Sequence, residues 1–372
     1  MSEQSIAWVV GGGTAGHIEP ALAVGEALRR ARPGIDVRAV GTPRGMEGRI
    51  VPARGFDLEL VDPVPLPRKV NADLFKLPFR LVKAIAGTRS LIRKAAPGVV
   101  VGFGGYACVP VYLTLMLMSR RSRPPVVVHE ANASAGLANK LGVRIADSVM
   151  AAVPGSGLEA TVVGNPVREA ITGLDRSALR AEAREFFGLG AEGTVVLVVG
   201  GSQGAASLNK AFAGAADDFR AAGIGVLHAT GEGKGIDLAS YPGDVSPGYV
   251  QVPYISRMDL AYAAADLVVC RSGAMTVAEV SAVGLPAVFV PLPIGNGEQA
   301  LNARTLVSGG AAVQIPDGEF TAERIRDEVL PLAADSARLK RMSEAALGAG
   351  SRDAADEVAG VALGLLDSRS RT

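Results

Sequence analysis

The chain has 372 residues, 48% of them hydrophobic and 20% charged, with 46 Gly and 22 Pro. That length exceeds what one core organises and predicts two domains, while the composition excludes disordered and collagen-like chains. Lys+Arg number 38 against 37 Asp+Glu, so a net charge of +1 gives no reason to expect a nucleic-acid partner.

Short β-branched runs recur along the chain, each followed by glycine and then by a helical pattern. They are Ile6–Val10, Val37–Val40, Val99–Val101, Val126–Val128, Val195–Val199, Val226–Leu227, Leu267–Val269 and Ala287–Val290. Continuous rather than alternating hydrophobicity marks strands buried on both faces, hence parallel sheets covered by helices. Both halves open with a strand, a glycine turn and a helix, at Val9–Gly16 and at Val198–Gly204. Two Rossmann-like, doubly wound α/β domains in tandem are therefore expected, with the crossing near Val163–Arg168. The Ala-rich end, from about Arg338, reads as helix. Cys108 and Cys270 form no metal-site spacing and suit a reducing compartment as buried thiols. The start, Met1–Ile6, has no basic region typical of a secretory signal, and the longest apolar stretch, Val109–Met118, is about half of the roughly 20 residues that a span needs. The expectation is a soluble or surface-bound protein.

Three glycine turns could each cradle phosphate, because a helix N-terminus offers unpaired N–H groups and a partial positive charge. Gly11-Gly12-Gly13-Thr14-Ala15-Gly16 fits the dinucleotide pattern, but the second strand ends in Gly41-Thr42, where an acid should hold the ribose. Gly200-Gly201-Ser202-Gln203-Gly204 fits a nucleophile elbow, yet the only later histidine, His228, lies within the next strand, so Ser202 reads as a phosphate donor. The third turn, Cys270–Thr276, leads into a helix carrying Glu279. With no Asp-x-Asp, Walker lysine or His/Cys cluster, no metal and no cofactor are expected, and diphosphate charge would fall to helix ends and to Arg168. His228 is expected in the core.

Gly12-Gly13-Thr14-Ala15-Gly16-His17, His129-Glu130-Ala131-Asn132, Gly164-Asn165-Pro166-Val167-Arg168, Gly200–Gly204, Cys270-Arg271-Ser272-Gly273-Ala274 and Gln299-Ala300-Leu301-Asn302-Ala303 occur in this order. Together they resemble the signatures of the MurG family, the UDP-N-acetylglucosamine transferases that make the second lipid intermediate of peptidoglycan. The match runs from about Ile6 to Gly310. Ala15 stands where many members have glycine and Ala131 where many have glutamine.

The resemblance implies a GT-B fold, two Rossmann-like domains facing a cleft. Residues 1–164 would bind the acceptor and the membrane, residues 165–345 would bind UDP-GlcNAc, and a final helix in 346–372 would return to the N-terminal domain. It implies inverting transfer of GlcNAc to the 4-hydroxyl of undecaprenyl-diphosphate-linked MurNAc-pentapeptide. Carried over, Ser202 and Arg168 meet the diphosphate, Ile255 the uracil and Glu279 the ribose, with Ala274, Met275, Thr276, Val277 and Ala278 leading into that helix. Gln299 would hydrogen-bond the sugar, Asn132 would face the same site, and Thr14, Ala15 and Gly16 would meet the donor near the reacting centre. His17 is expected as the catalytic base, because imidazole titrates near neutral pH, with Glu130 as the alternative.

Between Arg68 and Lys94 lie eight basic residues and one acid, interleaved with Leu74, Phe75, Leu77, Phe79, Leu81, Val82 and Ile85. After Pro78 the spacing Leu81, Ile85, Thr88, Ile92 predicts an amphipathic helix. A core helix with a basic outer face explains this pattern locally. An acceptor on a lipid favours instead docking of Leu74–Val82 on anionic lipids of the inner leaflet, hence a peripheral protein on the cytoplasmic face of the membrane. Val109–Met118 followed by Arg120, Arg121 and Arg123 repeats the theme. Cell-wall assembly proteins are further expected partners. Rival readings are a GT-B enzyme for another acceptor, a UDP-GlcNAc 2-epimerase and a non-enzymatic sugar-nucleotide-binding scaffold.

Overall fold

The computed structural model describes residues 5–64, 73–201, 203–238, 248–294 and 297–370, with only the backbone of 73–76 and 370. Two compact units emerge, one comprising residues 1–168 with 351–372 and the other Glu169–Gly350. Each is a parallel sheet covered by helices.

The strands of the first unit are β1 (Ile6–Gly12), β2 (Asp36–Gly41), β3 (Asp57–Leu60), β4 (Val99–Gly105), β5 (Val126–Glu130), β6 (Ser148–Ala151) and β7 (Thr161–Val162). They lie in the order β3-β2-β1-β4-β5-β6-β7. Its helices include α1 (Ala15–Ala31), α2 (Glu47–Ala53), α3 (Asp73–Ala95), α4 (Cys108–Met116) and α5 (Leu137–Gly142). Alternate residues of β1 feed opposite cores. Ala7 and Val9 join α1 on one face, and Trp8 and Val10 join α4 on the other. The C-terminal helix Ala354–Ser370 belongs to this unit. It buries Ala355, Val358, Ala359, Ala362, Leu363 and Leu366 in the α1 core, at the spacing that puts them on one helical face. Gly98 leaves room for it, since a Cβ there would lie 2.4 Å from Leu366 Cδ1.

The second unit carries β8 (Val195–Val199), β9 (Gly225–Ala229), β10 (Tyr249–Val252), β11 (Leu267–Cys270), β12 (Ala287–Phe289) and β13 (Ala312–Gln314), ordered β10-β9-β8-β11-β12-β13. In both sheets the strand order reverses beside the first strand of the unit, between β1 and β4 and between β8 and β11. Ligands of open α/β sheets bind outside the carboxyl ends of strands at such switch points. The three glycine turns singled out in the sequence follow β1, β8 and β11, so each stands at a switch point.

Every expected strand run lies in a strand or, at Val290, just past one. The unanticipated strands are short and peripheral. β3, Asp-Leu-Glu-Leu, is an edge strand with exposed ends and no β-branched residue. The greasy run Val109–Met118 is core rather than surface: Val111, Tyr112 and Leu115 are fully buried in α4, and only Leu117 is strongly exposed. His228 is buried as expected, between the Tyr249 hydroxyl at 2.8 Å and Asn209 Oδ1 at 3.1 Å, and burial holds its pKa down at about 4. Both thiols are buried, which pushes Cys108 up to about 12 and raises Cys270 as well.

Candidate functional site

In the first unit the site is built on the turns after β1, β4 and β5. Thr14 is extended and begins α1, its carbonyl accepting from the N–H groups of His17 and Ile18. Its hydroxyl does not cap the helix but lies 3.0 Å from His17 Nδ1. His17 Nε2 has no protein partner among the described residues. The ring packs against Gly104, where a Cβ would stand 3.2 Å from His17 Cδ2. Gly104 and Gly105 both have positive φ, and a Cβ on Gly105 would strike Gly12 O, so the β4 turn closes on the β1 turn through backbone alone. Desolvation lowers the His17 pKa, while Glu130 and Glu47 act against that shift.

Glu130, at the end of β5, is 2% exposed. One oxygen accepts from Asn132 N at 2.9 Å and Asn132 Nδ2 at 3.3 Å, the other from Gly136 N at 3.0 Å and Asn139 Nδ2 at 2.9 Å. Its four acceptor contacts tie the loop that carries Asn132 and the α5 residue Asn139 to the end of β5. His129 beside it is fully buried, held at a pKa of about 4 by that burial, and donates from Nε2 to Gly164 O at 2.9 Å. Asn165 Nδ2 donates to Ala131 O at 3.0 Å, which ties the His-Glu-Ala-Asn and Gly-Asn-Pro motifs together. Arg168 is half-buried, and its Nε is buried without a hydrogen-bond partner among the described residues.

In the second unit the helix Ala274–Ala282 starts after the β11 turn, with Gly273 at its N-cap and Ala274 to Glu279 all half-buried. Tyr262 donates its hydroxyl to Glu279 Oε2 at 2.8 Å and orients the carboxylate. Gln299 accepts from Leu292 N at 3.0 Å through Oε1, which leaves its amide Nε2 without a partner among the described residues. Ile255 is 5% exposed, so its side chain belongs to the core. Ser202 lies outside the described residues. Its turn is defined by Gly201 and Gly204, both at positive φ, and Gly204 N donates to Gly201 O at 3.0 Å.

Three side chains of these sites escaped the sequence reading. Lys234 sets its ammonium on Gln203 O at 2.7 Å, beside the β8 turn. Arg271 locks the β11 turn by donating to Val290 O, to Asp317 at 2.5 Å and to Ser207 Oγ at 2.9 Å. Glu47 lies under the β1 turn, fully buried, and accepts from Gly13 N at 2.8 Å. Of these, only Arg271 sat within a motif already noted. Among the described residues no group of three or more His, Cys, Asp or Glu could hold a metal ion.

Residues 7–151 match the glycosyltransferase family 28 N-terminal domain, and residues 195–358 match the family's C-terminal domain. A protein of Nocardia farcinica named UDP-N-acetylglucosamine–N-acetylmuramyl-(pentapeptide) pyrophosphoryl-undecaprenol N-acetylglucosamine transferase is 60% identical, over 95% of this chain and 94% of its own. One of the same name from Saccharopolyspora erythraea is 58% identical, over 93% and 90%. The crystal structure of Acinetobacter baumannii MurG superposes with a TM-score of 0.76 at 28% identity, over 97% of this chain and 100% of that one. The calicheamicin glycosyltransferase CalG4, at 20% identity and a TM-score of 0.63, shares the fold.

Proposed function

Because the chain belongs to glycosyltransferase family 28, and within it to the MurG transferases of peptidoglycan synthesis, we propose that His17 is the base that activates the acceptor. The fold is GT-B, and the enzyme transfers GlcNAc from UDP-GlcNAc to lipid I to form lipid II. The transfer is an inverting displacement. The acceptor's 4-hydroxyl gives its proton to His17 Nε2 as its oxygen attacks the anomeric carbon, and UDP leaves with the bonding electrons.

The observation that carries this reading is the imidazole itself. Nδ1 is engaged by Thr14 while Nε2 has no protein partner among the described residues, so with Nδ1–H donating to the hydroxyl, Nε2 keeps its lone pair. Glu130 is the weaker choice, because both of its oxygens are committed to N–H groups of Asn132, Gly136 and Asn139. On the donor side, Glu279 clamps the ribose, Gln299 holds the sugar through its amide Nε2, and Ile255 meets uracil through its backbone. Residues 274–278, Arg168 and Ser202 receive the diphosphate, and Thr14, Ala15, Gly16 and Asn132 line the reacting centre.

The undecaprenyl chain of the acceptor stays in a bilayer, so the enzyme must reach one. No helix among the described residues is long and apolar enough to cross a membrane. Peripheral docking on anionic lipids of the cytoplasmic face is supported by Phe79, 79% exposed, and Val82, 69% exposed, set among Arg80 and Lys83 on α3. The side chains of Leu74, Phe75 and Lys76 lie outside the described residues. Proteins of cell-wall assembly complete the proposed partners.

His17→Asn tests the base. The reading expects kcat to fall by about 10²–10³-fold with UDP affinity unchanged. In the wild type, the acid limb of the pH–rate profile should lie below the ordinary histidine value, because burial lowers the His17 pKa and a base works only when unprotonated. A His17→Asn enzyme within a few-fold of wild type would remove His17 from the role.

A further inference from the structure

Glu47 is a fully buried carboxylate that no motif pointed to. Its Oε1 accepts three hydrogen bonds, from Gly13 N at 2.8 Å, Thr42 N at 3.0 Å and Thr42 Oγ1 at 3.1 Å. Its Oε2 is buried with no hydrogen-bond partner among the described residues. Three glycines make room for this side chain. A Cβ on Gly12 would lie 2.5 Å from Oε1, one on Gly41 would lie 2.6 Å from Cγ, and one on Gly45 would overlap Oε2. None of the three has a positive φ, so space rather than backbone conformation requires glycine there. The ends of β1 and β2 and the loop before α2 are thus shaped around one carboxylate.

That arrangement exceeds what holding a turn demands. A neutral acceptor oxygen would satisfy the same three donors, whereas a buried anion with a bare oxygen carries a desolvation cost. The turn it holds leads straight to the imidazole: Gly13 N is bonded to Glu47, the next residue is Thr14, and Thr14 Oγ1 meets His17 Nδ1.

We propose that Glu47 is a positioning residue for the transfer, its buried carboxylate fixing the β1 turn so that Thr14 holds His17 with Nε2 free, and its charge favouring the protonated imidazole as the acceptor hydroxyl gives up its proton. This rests on the reading of His17 as the base. Two charges act on the ring, Glu130 from β5 and Glu47 from α2. Gly104 on β4, which packs against it, carries none. Glu19, on the ring's own helix, is paired with Arg54 at 3.0 Å, and Cys108 and Tyr112 on α4 are buried with raised pKa values and stay neutral.

The test compares Glu47→Gln, which keeps the side-chain length and an acceptor oxygen, with Glu47→Asp, which keeps the charge but retracts it by one methylene. Each is assayed for kcat and KM against pH beside His17→Asn. Glu47→Gln should lower kcat by about 10–100-fold and move the acid limb to lower pH by about half a unit or more, because losing an anion makes the imidazole a weaker base. The KM for UDP-GlcNAc should stay unchanged. Glu47→Asp should lower kcat while leaving the acid limb near its wild-type position. A purely structural role would lower the melting temperature of Glu47→Gln without moving the limb, and that result overturns the proposal. If Glu47→Gln does not fold, a Glu47→Asp enzyme with wild-type kcat overturns it equally. A fast His17→Asn enzyme instead rejects the base assignment, whatever the Glu47 variants do.

Discussion

Glu130 and Glu279 both fitted a functional role by residue type, and their hydrogen bonds separate them. Glu130 spends three acceptor contacts on the loop after β5 and a fourth on Asn139 of α5, while Glu279 takes a hydroxyl bond from Tyr262 that aims the carboxylate from a half-buried helix. A carboxylate so held suits a ribose diol, and a bond to a charged group contributes about 1.5–3 kcal/mol. Glu279→Gln is therefore expected to raise the KM for UDP-GlcNAc about tenfold or more with kcat nearly unchanged, as steady-state kinetics would read. An unaltered KM would take Glu279 off the ribose. His17, Glu130 and Asn132 drew attention in the sequence because each lies in a contiguous motif, and Glu279 because its helix follows the third glycine turn. Glu47 did not, because its meaning depends on glycines from separate segments and on a hydrogen bond to a residue 34 positions away.

At the scale of elements, α3 carries both readings given to its basic, apolar stretch. Ala84, Thr88 and Ile92 face inward, and Ala84 joins Val64, Val109, Leu77 and Leu81 in a small cluster against α4 and α5. That is the amphipathic helix expected after Pro78, although the helix already begins at Asp73, with Pro78 inside it. Phe79 and Val82 point the other way, a feature that packing does not explain. Docking of Leu74–Val82 was the expectation for this stretch, and only the packing of α3 separates Phe79 and Val82, which stay outside, from Leu77 and Leu81, which pack inward. Lys83 reaches Asp62 at 3.3 Å in an exposed pair, and Arg80 lies directly beside Phe79. Phe79→Ser with Arg80→Glu should lower sedimentation with vesicles of anionic phospholipid while leaving turnover of a water-soluble acceptor analogue intact. Unchanged vesicle binding would reject this face of α3 as the docking surface.

The whole molecule repeats one device, a parallel sheet whose order reverses beside its first strand, with glycine turns at that reversal. The repetition was visible in the sequence because β1 and β8 are continuous apolar runs ending in glycine pairs. The edge strands β3, β7 and β10 were not, being short and either partly buried or, in β7, exposed. A fold shared with transferases for other acceptors does not by itself choose this one's acceptor. The most direct test measures UDP release from UDP-GlcNAc in EDTA, with and without undecaprenyl-diphosphate-linked MurNAc-pentapeptide, while following the donor sugar. The account predicts release that depends on this acceptor and persists without metal. Release indifferent to the acceptor, or an epimerised donor with no transfer, would contradict it.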